Sequence, residues 1–188
     1  MIGIAQILKS NTKMDVAILK VEALTPFYSS FDTKGYVVGE KLYAAGFPIT
    51  TTNRIIKSTN VTLTEGLLIN TKKINKSWML MSVPITYGNS GGPVLGKYGL
   101  IRGQSSGGYD VKELLEIDYG KEYVKKLTLT NLTMNIMISS IELKKWINET
   151  NIVNIDSAKR PMKLDSEEIG EIATRIVGRV FCYKYKKR

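Results

Sequence analysis

Short apolar, β-branched runs separated by polar and glycine-containing stretches mark most of the chain as strand-forming. Strands are predicted at residues 2–8, 16–21 and 41–45, the last ended by Gly46 and Pro48. Residues 55–64 alternate apolar and polar side chains, as a half-buried strand does, and 67–69 and 78–83 share that character. Residues 99–103 complete the set. Residues 106–133 interrupt the pattern. Apolar side chains at 111, 114, 115, 117 and 124 stand among charges there, and predict a partly helical insertion over 110–127.

The last 38 residues differ in character. Residues 151–162 form a polar linker containing Pro161. Asp165 with Glu168 three positions later is a helix-start signature, in which each side chain satisfies a free backbone N–H of the first turn. Ile169, Ile172, Ala173 and Ile176 follow at helical spacing and define one face for burial. Gly178 ends that helix, and 179–185 reads as a short strand. The pattern predicts a body over residues 1–150 and a tail over 151–188 that packs on it.

Candidate chemistry concentrates at Gly88-Asn89-Ser90-Gly91-Gly92-Pro93. A serine nucleophile needs a tight turn with small neighbours. Its Oγ then stands clear, and backbone N–H groups of the turn can face a developing oxyanion. Glycines permit that turn because they adopt positive φ and let a substrate carbonyl approach.

These residues resemble the nucleophile loop of trypsin-like serine proteases, and asparagine before the serine makes them most similar to the HtrA-type bacterial branch. Asp15-Val16-Ala17-Ile18-Leu19-Lys20-Val21 resembles the stretch that carries the family's triad aspartate. The segment 38–48 is similar to its glycine-and-proline turn, and 135–149 to its last strand and closing helix. The resemblance covers roughly residues 1–150. It implies an all-β, two-barrel chymotrypsin-like fold with C-terminal helices. It also implies catalytic roles for Ser90 and Asp15, with Gly88, Asn89 and Ser90 forming the oxyanion hole. Substrate would lie between Ile85, Thr86 and Tyr87 on one side and Ile101, Arg102, Gly103 and Gln104 on the other. Neither stretch holds an acidic side chain, so a preference for aliphatic rather than basic residues is expected.

The chain departs from the family at its general base, for it contains no histidine. In the family's order the histidine precedes the aspartate and serine, so it would fall before Met1. The first barrel is accordingly expected to be incomplete. Losing the base of a related triad costs about 10⁶-fold in turnover. Lys97, seven positions after Ser90, could act as base only if buried with a lowered pKa; a solvated turn lysine is the expected role.

Composition narrows the rest. One cysteine, Cys182, excludes an internal disulfide, and with no histidine or C-x-x-C pair no metal or other cofactor is expected. Cys182 is expected to be a buried structural residue. No segment has the length of a membrane span, and the apolar start lacks a signal peptide's basic residues, so a cytoplasmic location is the default expectation. The net charge of +10 is spread over Lys72, Lys73, Lys76, Lys121, Lys125, Lys126 and the 184–188 tail without a nucleic-acid motif. The expected partner is a protein or peptide substrate, with neither nucleic acid nor membrane. Two functions fit. One is a serine endopeptidase whose histidine is supplied by a missing N-terminal segment or a partner chain, with this chain inactive alone. The other is a non-catalytic domain of the same fold that binds peptides or a partner protein.

Overall fold

A computed structural model describes residues 4–22, 27–48, 60–71, 77–110, 133–153, 155 and 161–180. Eight strands run in chain order: β1 (Ala5–Asn11), β2 (Val16–Val21), β3 (Lys41–Gly46), β4 (Thr62–Leu67), β5 (Trp78–Met81), β6 (Pro93–Gly96), β7 (Ile101–Asp110) and β8 (Thr133–Ser139). Helices α1 (Ser140–Glu149) and α2 (Ser166–Ile176) follow. Several expectations lie outside the described residues: the 111–127 part of the insertion, residues 55–59, Cys182, most of the 179–185 strand, and the 72–76 and 121–126 lysines.

Strands β3 to β8 form an antiparallel sheet in the order β4-β3-β6-β7-β8-β5. Its two edges meet. The Ile69 N–H donates to Leu80 O (2.9 Å), the Ser82 N–H to Leu67 O (2.8 Å), and Leu68 bridges Met81. The sheet therefore curls into a barrel without a free edge at that seam. Period-two alternation sorts its side chains. Leu42 and Ala44 of β3 and Val94 of β6 point inward onto Leu68, Met79, Met81, Val83 and Met137. Tyr43, Ala45 and Leu95 point outward, where Ile169 and Ala173 of α2 cover them. Full burial of each such aliphatic side chain contributes about 1.5–3 kcal/mol. The Asp165 and Glu168 capping box starts α2 as the spacing predicts, with both reciprocal bonds at 2.9 Å. On another face, Leu143 of α1 packs with Val16 and Ile138, against Phe31, Trp78 and Trp146.

The first barrel is represented among the described residues by the β1–β2 hairpin alone, which pairs with neither edge of the larger sheet. Its Ile4, Ile7 and Val21 side chains are exposed.

Three boundaries differ from expectation. Strand β7 does not end at position 103 but continues to Asp110, paired with β8 through Asp110 and Thr133. The Ser105–Gly108 run looks like loop composition, yet a bulge between Ser105 and Gly107 absorbs it within the strand. At the other end β7 begins at Ile101, because Gly99 occupies a turn with φ +66°. Finally, β4 bridges positions 62–67 as one strand where two were expected.

Candidate active site

The loop between β5 and β6 is shaped by glycine. Gly88 and Gly91 adopt φ of +97° and +85°, which side chains other than glycine's rarely tolerate. Gly92 packs so closely that a Cβ there would overlap Ala45 O. Between them, Ser90 lies exposed at the tip while Asn89 is buried.

The loop's backbone is pinned from behind. The Asn89 N–H donates to Thr86 O (3.1 Å), and the Gly92 N–H to Asn89 O (2.9 Å). Gly91 N–H donates to Ser105 O (2.7 Å), and Ser105 N–H returns to Gly92 O (2.9 Å). The fully buried Ser105 hydroxyl donates to Asn89 O (2.5 Å). Asn89 O is thus held inward by two donors. Among the described residues, the N–H groups of Gly88 and Ser90 have no such acceptor. Two unsatisfied donors flanking an exposed hydroxyl are what an oxyanion needs. Of the three residues expected to build that hole, Asn89 has both its N–H and its carbonyl engaged within the scaffold.

Asp15 closes the β1–β2 turn. Asn11 Oδ1 accepts from the N–H groups of Lys13 and Met14 (both 3.1 Å), tightening the turn, and Asp15 takes a left-handed φ of 57°, a conformation that aspartate tolerates better than most residues. Its Oδ2 accepts from the Ser106 hydroxyl (3.2 Å), and its carbonyl from Gln104 Nε2 (3.5 Å). Strand β7 is the common support: Ser105 holds the Ser90 loop, and the next residue, Ser106, holds the Asp15 carboxylate.

The expected substrate walls separate. Thr86 and Tyr87 are exposed beside Ser90, and Ile85 packs partly against the barrel core. Ile101, Gly103 and Gln104 line a groove of about 370 Å³ beneath the hairpin, together with Gly91 and Pro93. Arg102 corrects the expectation outright, since its side chain is fully buried. The guanidinium binds Glu40 through Nε (2.8 Å) and a second nitrogen (2.9 Å), and donates to the carbonyls of Asp32 and Lys34 (both 2.8 Å). The Asp32 carboxylate lies 3.6 Å away. The Tyr36 ring stacks on it at 3.8 Å, and the Tyr36 hydroxyl donates to Arg102 O (2.6 Å) and accepts from the Ser140 N–H (2.8 Å). Burial pushes the Tyr36 phenol above its usual pKa, only partly offset by Ser140 and Arg102. This network ties the 32–40 segment to β7 and to the start of α1.

Lys97 sits in the β6–β7 turn, at the opposite end of β6 from Ser90, with Nζ 5.3 Å from the Tyr98 ring. Four strand residues at about 3.3 Å each separate it from the serine loop, so it cannot act as the base. No group of three acidic, cysteine or histidine side chains among the described residues is placed to hold a metal ion. No helix among them is long and apolar enough to cross a membrane.

Ser105 and Ser106 are the supports that sequence reasoning undervalued. Neither stands out in the sequence, because a Ser-Ser-Gly-Gly run has the composition of a loop.

No curated protein matches the chain. Among solved structures it is similar to the serine endoprotease from Yersinia pestis, with a TM-score of 0.56 and 20% identity, over 78% of this chain and 44% of that one. The chain thus spans less than half of that protein, and the likeness shows the chymotrypsin-like fold. The model of the trypsin-like peptidase domain matches residues 3–103, more than half of the sequence. With its serine turn and curled barrel, this chain belongs to the trypsin-like peptidase domain family.

Proposed function

We propose that this chain carries the serine and aspartate of a serine endopeptidase site, and that an imidazole from outside its 188 residues completes it. One observation carries this: among the described residues the N–H groups of the exposed Ser90 and of Gly88 donate to no backbone acceptor, on a loop braced by the same strand that holds Asp15. In that site Ser90 Oγ attacks the scissile carbonyl carbon while the imidazole takes its proton. Asp15 holds the ring's other nitrogen, and the Gly88 and Ser90 N–H groups receive the oxyanion. Thr86 and Tyr87 are the side chains that substrate meets first, and with no carboxylate among residues 85–87 an aliphatic side chain before the cut fits better than a basic one. The HtrA-like Asn-Ser sequence is consistent with this role.

The absence of histidine also favours a second function, binding of extended peptides without turnover. Chemical rescue separates the two. The chain alone is expected not to label with a fluorophosphonate probe, because an unassisted serine hydroxyl is a poor nucleophile. Added imidazole should restore labelling that is lost in Ser90→Ala and weakened in Asp15→Asn. Peptide binding with no labelling under any imidazole concentration would establish the non-catalytic function instead.

A further inference from the structure

A cleft of about 660 Å³ opens at the far end of β6 from Ser90. Two stretches line it. One lies within residues 35–41, and the other is Lys97 of the β6–β7 turn with residues 163–166 at the start of α2. The second stretch is fastened together. The Leu164 N–H donates to Lys97 O (2.9 Å), and the Tyr43 and Ser166 hydroxyls share a hydrogen bond (3.2 Å). The first is fastened by Arg102, which donates to the carbonyls of Lys34 (2.8 Å) and Gly35 (3.3 Å). The cleft is therefore formed before anything enters it, as ligand sites usually are.

Its polar groups are donors in surplus. Among the described residues, the N–H groups of Gly35, Tyr36, Val37 and Val38 donate to no backbone acceptor. Lys97 and Lys163 form no ion pair there. The neighbouring carboxylates are already engaged. Glu40 binds the Arg102 guanidinium, and Asp165 accepts from the Glu168 N–H in the first turn of α2 (2.9 Å). Lys41, the third lysine of the lining, is held by Glu65 (2.9 Å). What the cleft lacks is acceptor oxygen, and two unpaired ammonium groups favour oxygen that carries negative charge. Val37 and Val38 add apolar surface, 68% and 59% exposed, which a ligand gains by covering. Consecutive N–H groups outside any helix or sheet suit the carbonyls of an extended chain. The net charge of +10 draws acidic partners and repels a second copy of the chain. A nucleic acid fits less well, because its phosphates gain nothing from the valines.

We propose that this cleft binds an extended acidic segment of a partner protein. Carboxylates of the segment sit on Lys97 and Lys163, its backbone carbonyls on N–H groups of residues 35–38, and an aliphatic side chain on Val37 and Val38. This site is separate from the serine loop and does not depend on whether Ser90 is catalytic.

A fluorescent peptide of alternating glutamate and leucine, titrated with the full chain and read by anisotropy, tests this. It should bind, more weakly as salt is raised, and shift the amide resonances of Val37, Val38, Lys97 and Leu164. Lys97→Glu with Lys163→Glu should weaken binding at least about tenfold, the loss of one charge-assisted hydrogen bond or more. Lys97→Arg with Lys163→Arg should keep it. Lys13→Glu with Lys20→Glu makes the same change in net charge on the β1–β2 hairpin and should cost far less affinity. Melting curves check that each variant is folded. The proposal is overturned if the peptide does not bind, or if its shifts gather around Ser90 instead. It is equally overturned if the hairpin variant loses as much affinity as the cleft variant, or if a single-stranded oligonucleotide of equal charge competes better than unlabelled peptide.

Discussion

Buried charge decides the behaviour of Arg102. Its guanidinium has no exposed surface, and Glu40 and Asp32 neutralise it inside a cage of carbonyls and the Tyr36 ring. Such a pair adds little over an apolar filling, yet breaking it leaves an uncompensated buried charge. Arg102→Met should therefore cost about 3–5 kcal/mol, read from the denaturant midpoint, because Glu40 is left without its partner. A loss below 1 kcal/mol would show that water reaches Glu40 in the folded state. The contrast between this residue and Ser90 also shows what sequence can carry. The signal that singles out Ser90 is local, since glycine turn chemistry is written in six adjacent positions, and the structure shows that turn with Ser90 exposed in it. Arg102 was assigned to the substrate wall by order alone. A strand residue's direction depends on register, and its partners at 32 and 40 are some 60 to 70 positions distant. Ser105 and Ser106 were hidden likewise, because their meaning comes from Asn89 and Asp15 across the fold.

Among the elements, α2 was the most legible and β7 the least. The capping box and the recurrence of apolar residues at 169, 172, 173 and 176 are both local signals, and the helix begins and ends within about one residue of them. The extent of β7 is set by pairing with β8 across an intervening 22 residues, which glycine content at 107 and 108 conceals. What α2 does is visible only in three dimensions: it covers the outward side chains Tyr43 and Leu95, which would otherwise leave the barrel with an apolar outer face. Removing residues 163–188 uncovers that face, and at about 1.5–3 kcal/mol per buried aliphatic side chain it should lower the melting temperature by many degrees. Increased binding of an apolar dye should accompany the drop. An unchanged melting temperature would mean that α2 rests on the barrel without supporting it.

At the scale of the molecule the two halves of the fold are unequal. The six-stranded barrel has a continuous core and paired edges, whereas the hairpin that carries Asp15 is two strands touching the rest mainly through Val16, Met14 and the Ser106 and Gln104 bonds. Isolated two-stranded hairpins are marginal in water, and apolar side chains such as Ile7 and Val21 gain little while exposed. Among the described residues Ser90 is thus carried by the better-braced part of the fold, and Asp15 by the less braced. Backbone amides should report this directly. Hydrogen exchange at Ile7, Leu19 and Lys20 is expected to proceed through local opening, orders of magnitude faster than at Leu80, Leu95 or Met137, whose exchange needs global unfolding. If a ligand spanning both halves is then bound, the hairpin amides should slow while the barrel amides change little, since ordering the weaker half is where binding energy acts. Equal protection across β1, β2 and the barrel would mean that the hairpin is already fixed, and that Asp15 is as firmly held as Ser90 before any partner arrives.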